Sequence, residues 1–241
     1  MATAPAIELA PNVWRLPLLA SFVNGYVLRD DDGQVTLVDC GVKKSPAKIS
    51  AALTHLGIAP EQVTRILLTH AHADHAGGAA EMVRRTGAEA VAIHADDAAA
   101  ARSGIAPPRD QSLRLGRLLT RGSRSGKPAF EPVPVDEELA DGQVLPVAGG
   151  LRVVHTPGHS PGHVSLLHEP TGVLVVGDAL FNWRGIGWSV PFFCSDFRLS
   201  QRTAQRFTEL DFTVAAFMHG PHVSTNARRY VGEFLARYTH D

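Results

Sequence analysis

Short apolar runs and alternating apolar and polar positions predict β-strands along most of the chain. Because successive side chains of a strand point to opposite faces, such patterns are typical of strands with at least one buried face. The predicted strands are 13–18, 24–29, 35–38, 66–69, 91–93, 144–147, 151–155, 164–167, 173–176 and 213–218. The acidic segment 30–33, which ends in Gly33, predicts a hairpin turn between the second and third of them.

Apolar residues three and four positions apart predict helices between these strands. Ser45 and Pro46 predict the start of one helix, which carries Ile49 and Leu53 on one face and ends at Gly57. The other predicted helices are 79–85, 95–102, 111–120, 199–210 and 226–237. Two β-rich halves, each closed by helices, indicate a mixed α/β (α+β) fold in which two sheets pack together and helices cover their outer faces.

The pattern loosens between residues 103 and 134, where prolines, arginines and glycines are frequent. We interpret this segment as an insertion into one domain that spans residues 1–241. A flap over a functional site and a plain surface excursion are both consistent with it.

Composition narrows the classes of partner. The chain has 241 residues, 44% of them hydrophobic, and a formal net charge of −1, so its charge does not predict binding to nucleic acid or to an acidic membrane. No run reaches transmembrane length and the N-terminus lacks a signal-peptide pattern, which predicts a cytoplasmic protein acting on a small molecule. Cys40 and Cys194 are far apart and form no Cys-x-x-Cys pair, so neither a disulfide framework nor a thiolate zinc site is expected.

Histidines cluster where predicted strands end. The densest cluster is His70, His72, Asp74 and His75, which follows the predicted strand 66–69. On extended chain His70 and His72 point the same way, whereas Asp74 and His75 lie at the turn into the next helix. Two pairs of nitrogen and oxygen ligands facing different ways favour two adjacent metal ions over one, and over a merely polar loop.

Three further strand ends carry candidate ligands. His159 and His163 lie in Thr-Pro-Gly-His-Ser-Pro-Gly-His, Asp178 follows an apolar run and Gly177, and His219 precedes Gly-Pro. Sites assembled from several strand ends of a rigid sheet are a common arrangement. His94 and His155 flank strands and are expected to be structural.

These ordered motifs resemble those of the metallo-β-lactamase superfamily: Asp39, then His70-x-His72-x-Asp74-His75, then His159, Asp178 and His219. The resemblance spans about residues 22–237 and implies a four-layer αββα sandwich with a two-metal site between the sheets. It implies that one metal is held by His70, His72 and His159 and the other by Asp74, His75 and His219, with Asp178 bridging. Asp39 and His163 are expected to orient ligands, and His222 is an alternative to His219.

Two divalent ions in such a site favour hydrolysis, because a bridging water becomes hydroxide at neutral pH. Zinc is the preferred ion, with iron or manganese as alternatives, and Asp74 would serve both as a ligand and as the proton carrier. The expected substrate is an ester, thioester or lactone of a small molecule.

Other reactions remain open. Asp178 disfavours β-lactam hydrolysis, because true β-lactamases of this superfamily lack a bridging aspartate, and Phe181 stands where acyl-homoserine lactonases have tyrosine. The alternatives are a mononuclear iron persulfide dioxygenase and a phosphodiesterase, or β-lactam hydrolysis as a side activity, with a non-catalytic metal-binding protein as a third. Phe181, Trp183 and Trp188 either line a pocket for an apolar substrate or form part of the core.

Overall fold

The computed structural model describes residues 5–20, 22–110 and 127–238. It contains strands and helices in the mixed order that the hydrophobic pattern predicts. The strands are β1 (Ile7–Ala10), β2 (Val13–Pro17), β3 (Asn24–Arg29), β4 (Val35–Val38), β5 (Val63–Leu67), β6 (Ala90–His94), β7 (Glu137–Leu139), β8 (Val144–Leu145), β9 (Leu151–His155), β10 (Val164–His168), β11 (Val173–Gly177), β12 (Leu180–Asn182), β13 (Ile186–Trp188) and β14 (Val214–Phe217). The α-helices are α1 (Pro46–His55), α2 (Ala79–Thr86), α3 (Ala95–Ser103), α4 (Phe197–Ala204) and α5 (Ala227–Leu235).

Two large sheets pack face to face. One has the strand order β1-β2-β3-β4-β5-β6-β7 and is antiparallel from β1 to β4 and parallel from β4 to β7. The other has the order β14-β11-β10-β9-β8, antiparallel except for the parallel pair of β11 and β14. The predicted hairpin is the antiparallel pair of β3 and β4.

The alternation of side chains on the strands produces three apolar layers. On β3, Tyr26 and Leu28 lie in the cluster between the sheets, whereas Val27 lies in the cluster under α1, α2 and α3. On β11, Val175 faces the first sheet and Val176 packs in the cluster under α4 and α5. The architecture is therefore the expected four-layer αββα sandwich, with helices outside both sheets.

Several predicted boundaries were wrong. Strand β5 ends at Leu67 and does not reach residue 69, and α4 begins at Phe197, where the side chain of Asp196 accepts a hydrogen bond from Leu199 N (2.8 Å). Helical structure then continues as a 3₁₀ turn, Gln205–Glu209. The short strands β1, β7, β12 and β13 were not predicted, because edge strands and an aromatic hairpin lack a clear apolar alternation.

The predicted helix 111–120 lies outside the described residues, and the assignment of one domain with an insertion at 103–134 stays a prediction. Within the described parts of the chain, none of the helices has the length and apolar character needed to span a bilayer.

Candidate metal centre

The loop between β5 and α2 carries four of the predicted ligands. Since β5 ends at Leu67, His70 and His72 lie on this loop and not on extended strand, so the argument from strand alternation was wrong. They converge all the same, because the loop is held by long-range hydrogen bonds. Leu68 N donates to Ala92 O (2.9 Å), and Ala71 N donates to the carboxylate of Asp97 (3.0 Å).

Three imidazoles converge to form the first group of ligand atoms. His72 Nδ1 lies 3.0 Å from His70 Nε2 and 2.9 Å from His159 Nε2. A tetrahedral zinc ion with Zn–N bonds of about 2.0–2.1 Å places neighbouring ligand atoms roughly 3.3 Å apart. The three nitrogens are therefore spaced as ligands of one ion would be.

Asp74, His75 and His219 form the second group. Asp74 Oδ2 lies 3.7 Å from His75 Nε2 and 3.5 Å from His219 Nε2. Asp178 lies between the groups: one oxygen is 3.5 Å from His75 Nε2, and the other is 3.3 Å from His159 Nε2 and 3.2 Å from His219 Nε2. The side chains of all seven predicted ligands are thus brought together, and the Asp178 carboxylate lies between the two groups.

Hydrogen bonds on the far side of each ring determine which nitrogen carries the proton. His219 Nδ1 donates to Phe22 O, which can only accept, and His75 Nδ1 contacts Asp39 Oδ2 at 2.7 Å. Their Nε2 atoms therefore direct lone pairs toward the carboxylates of Asp74 and Asp178. His75 Nε2 and Asp178 Oδ1 are also buried without a hydrogen-bond partner. Neutral rings would therefore place acceptors opposite acceptors in a buried site, an arrangement that either a proton on the imidazole or a bound cation relieves, so the residues fit a divalent metal.

The electrostatics of the two groups differ. Burial lowers the pKa of His70, His72 and His159, which favours the neutral imidazole that a metal requires. Burial also opposes protonation of His75 and His219, but the Asp178 carboxylate outweighs it and raises the pKa of both. Burial would raise the pKa of Asp178, yet its imidazole neighbours, His219 foremost, hold it well below the usual range. The side chain of Asp178 is therefore anionic.

His163, one of the two residues expected to orient ligands, positions the backbone of Asp178. Its Nε2 accepts a hydrogen bond from Asp178 N (2.7 Å), while its Nδ1 donates to Thr156 O (2.9 Å). Burial lowers the pKa of His163 to about 4, so the ring is neutral in this role. Asp39 contacts His75 and Thr69, as expected of a residue that orients ligands.

Asp97 was missed by the sequence analysis. It is fully buried, and its carboxylate accepts hydrogen bonds from Ala71 N (3.0 Å), Ser160 Oγ (2.7 Å) and Gly162 N (2.7 Å). It therefore joins the two loops that carry His70, His72 and His159. An acidic residue in the first turn of an alanine-rich helix gives no sequence signal for such a role, since it is usually a favourable helix-terminal charge.

A cavity of about 370 Å³ opens beside the ligands. Its wall includes Phe181 and Trp183, as predicted, and also Phe22, which the sequence analysis did not single out. Trp188 is a correction: it packs against Phe234 and Tyr238, with ring centroids 5.0 and 5.2 Å apart, and does not line the cavity. Strand β13 carries Trp188 toward α5 instead.

Three further histidines, His222, His94 and His155, lie outside the two groups. His222, the alternative to His219, is not among the converging ligand atoms of the described residues. His94 and His155 approach each other and Asp96, but their rings are stacked with centroids 3.8 Å apart and planes 16° apart. Their in-plane lone pairs therefore lie in two nearly parallel planes and cannot both point at one ion, which agrees with a structural role.

The fold and the site define a metalloprotein whose ligands come from strand ends and loops of two packed sheets. Residues 19–219 match the family model described as the metallo-beta-lactamase superfamily. The chain belongs to this superfamily. Its members typically bind divalent metal ions, and the two ligand groups provide sites for them.

Individual relatives agree with this assignment. The chain is 34% identical over 173 residues to the probable metallo-hydrolase YqgX of Bacillus subtilis (strain 168), covering 72% of each chain. It is 31% identical over 160 residues to a hydroxyacylglutathione hydrolase of Rhodopseudomonas palustris (strain BisB18), covering 66% of this chain and 48% of the relative. A metallo-beta-lactamase family protein from Thermus thermophilus superposes with a TM-score of 0.72 at 25% identity, over 96% of this chain and 80% of that one. The chain is a metallo-hydrolase of this superfamily.

Proposed function

We propose that the protein hydrolyses an ester or thioester of a small molecule with two divalent metal ions, zinc being the preferred metal. The observation that carries the proposal is the pair of ligand groups joined by Asp178, with buried, unpartnered atoms on His75 and Asp178 directed into the space between them. A single metal held by the three imidazoles would leave the second group without a cation to offset the carboxylate of Asp74.

When bound, the metal ions would supply hydroxide at neutral pH and polarise the scissile carbonyl. Asp74 is suited to move the proton. Both carboxylates border the cavity, but the side chain of Asp74 is 40% exposed and that of Asp178 only 3%. Asp74 can therefore take the proton released by water and pass it to the leaving group, while Asp178 stays ionised and holds the two halves of the site together.

The thioester in this proposal is supported by the relative named as a hydroxyacylglutathione hydrolase. The chain spans about half of that relative's length, so recognition of glutathione itself is not inferred. A lactone is a cyclic ester and remains within the proposed class. Iron-dependent persulfide oxidation is disfavoured, because it needs one metal and would leave Asp74, His75 and His219 without a role.

The test is metal analysis of protein purified without added metal, followed by one panel of esters, thioesters, lactones, phosphodiesters and β-lactams on the same preparation. About two zinc ions per chain and turnover of esters or thioesters are expected. One iron per chain with oxygen uptake on a persulfide would overturn the proposal.

Two variants test whether the metal ligand is His219 or His222. We expect His219→Ala to lose one metal ion and most turnover, while His222→Ala keeps both. The reverse result would move the ligand to His222.

A further inference from the structure

Two cavities meet at Asp74. The first is the one beside the ligands, which we call the aromatic arm after Phe22, Phe181 and Trp183. The second, of about 740 Å³, extends away from it and is lined by Val42, Lys43, Gly77 and Glu131 among others. We call it the lysine arm. The residues shared by both arms are Ala73, Asp74, Ala129 and Phe193.

The backbone beside Lys43 is fixed against the loop that carries the ligands. Cys40 N donates to His75 O (2.8 Å), and Gly78 N donates to Gly41 O (3.1 Å). At Gly77 the two segments are so close that a Cβ atom would lie 3.1 Å from both Gly41 O and Lys43 N. Main-chain contacts therefore hold the backbone at Lys43 against the loop that carries Asp74, and both residues line the lysine arm.

The charge of Lys43 is available to a ligand. Among the residues that the structure describes, Lys43 forms no ion pair. Glu131, another residue of the arm, is bound by Arg84 through two contacts of 2.7 and 3.0 Å and also lies within electrostatic range of Lys43. The lysine arm therefore presents the cation of Lys43 beside the carboxylates of Asp74 and Glu131. The aromatic arm is mainly apolar, and the guanidinium of Arg109 in its wall lies over the rings of Phe192 and Phe193.

We propose that Lys43 makes the enzyme selective for substrates whose leaving group carries a separate negative charge, such as a carboxylate. The apolar acyl group of such a substrate occupies the aromatic arm. This inference rests on the proposed function. In this orientation the carbonyl carbon gains oxygen from water, and its bond to the leaving sulfur or oxygen breaks. The proton released by water reaches the leaving atom through Asp74, which lies where the two arms join.

The test compares two thioesters that share an apolar acyl group, such as phenylacetyl, and differ only in the charge of the thiol. One is the thioester of 3-mercaptopropionate, and the other that of its neutral isostere 3-mercaptopropanamide. We expect the wild type to prefer the anionic thioester, and Lys43→Met to reduce kcat/KM for it by about three- to fivefold, as for a partly exposed ion pair. The neutral thioester should be unaffected by the substitution.

Lys44→Met is the matched control, because Lys44 is exposed and does not line the arm. It should leave kcat/KM for both thioesters within about twofold of the wild type, since an exposed charge outside the arm makes no defined pair. Added salt should reduce the wild-type preference through screening. Equal rates for the two thioesters in the wild type, or a preference that persists in Lys43→Met, would overturn the role of Lys43.

A second readout keeps the test independent of turnover. The uncleavable thioethers that correspond to the two substrates can be titrated calorimetrically, and the carboxylate form should bind the wild type more tightly but not Lys43→Met. If neither thioester is hydrolysed by metal-loaded protein, the thioester proposal fails, and these titrations still decide the role of Lys43. If both are hydrolysed without charge preference, the hydrolase stands and the Lys43 inference is wrong.

Discussion

Asp39 Oδ2 lies 2.7 Å from His75 Nδ1, and both side chains are fully buried. The same carboxylate accepts hydrogen bonds from Thr69 N (2.8 Å) and Thr69 Oγ1 (2.6 Å), and the threonine hydroxyl lies 3.1 Å from His70 Nδ1. One aspartate thus orients an imidazole of each ligand group. Its backbone has φ 55°, a left-handed conformation that Asp and Asn tolerate better than most residues.

Asp39→Asn should keep this backbone conformation but weaken metal binding. The carboxylate of Asp39 only accepts hydrogen bonds, whereas the NH2 group of asparagine donates them. Because this group would face the donors of Thr69 and His75, we expect metal affinity to fall about 10- to 100-fold. Competition with a chelator measures it. Thr69→Val removes the hydroxyl that links Asp39 to His70 but keeps the contact between Asp39 and His75, so it should cost less. Equal metal affinity of Asp39→Asn and the wild type would show that Asp39 does not orient these ligands.

Gly177→Ala should destabilise the fold. Gly177 has φ +66°, and an added Cβ would lie 2.3 Å from His163 Nε2, the atom that accepts from Asp178 N. We expect a loss of about 2–4 kcal/mol in the free energy of unfolding, together with weaker metal binding. Gly187→Ala is the control in chemical denaturation, since nothing lies within 4 Å of its added Cβ. Similar stability of the two variants would contradict the prediction.

Asp97→Ala should be strongly destabilising, whereas Asp96→Ala should be nearly neutral. Asp97 is fully buried and satisfies two backbone N–H groups, of Ala71 and Gly162, whereas the Asp96 side chain is 58% exposed. Each buried donor left without a partner costs about 1–3 kcal/mol. Thermal and denaturant unfolding of both variants measures the difference. A smaller loss for Asp97→Ala than for its neighbour would exclude the proposed link between the loops.

The aromatic residues should separate by role. Trp183 is 48% exposed at the cavity, with its ring centroid 6.1 Å from that of Phe22, whereas Trp188 packs against α5. Phe22→Ala or Trp183→Ala should lower kcat/KM more for long apolar acyl groups than for acetyl, by about 1.5–3 kcal/mol at most for each side chain. Trp188→Ala should lower stability and leave this chain-length preference unchanged. A preference altered by Trp188→Ala alone would refute the assignment.

The stacked pair His94 and His155 predicts a pH dependence of stability. Burial, and then the neighbouring His155, lower the pKa of His94 below 6.5. As the pH falls, His94 is therefore protonated in the unfolded chain before it is protonated in the folded one. The contribution of neutral His94 to folding stability is complete above about pH 6.5 and is lost as the pH falls toward its folded pKa.

His94→Asn tests this directly, because asparagine can still cap α3, where His94 Nδ1 now accepts from Asp96 N. The free energy of unfolding of the wild type should fall more steeply between about pH 7 and pH 5 than that of the variant. Parallel curves would show that His94 does not contribute to the pH dependence.

Much of the fold follows from local patterns. The apolar runs that became β3, β4, β10 and β11 are buried on both faces, and Gly87 ends α2 in the left-handed conformation expected of a helix C-terminus. The predicted end of β5 and the predicted start of α4 were wrong; the observed boundaries are Leu67 and Phe197. A strand ends where its partner strand ends, and a helix begins where its cap lies. Neither condition is visible in a single segment.

The sequence by itself determined the chemistry of the site, because imidazoles and carboxylates placed after apolar strands have few other uses in such density. It also indicated that the ligands would come from several strand ends. Only the tertiary structure decided which atoms face one another. It gave Asp97 and Phe22 their roles, placed Trp188 outside the cavity wall, and made Asp74 part of both arms. These depend on contacts between residues far apart in the chain, such as Asp97 with Gly162 and His219 with Phe22, which exist only once both sheets have packed.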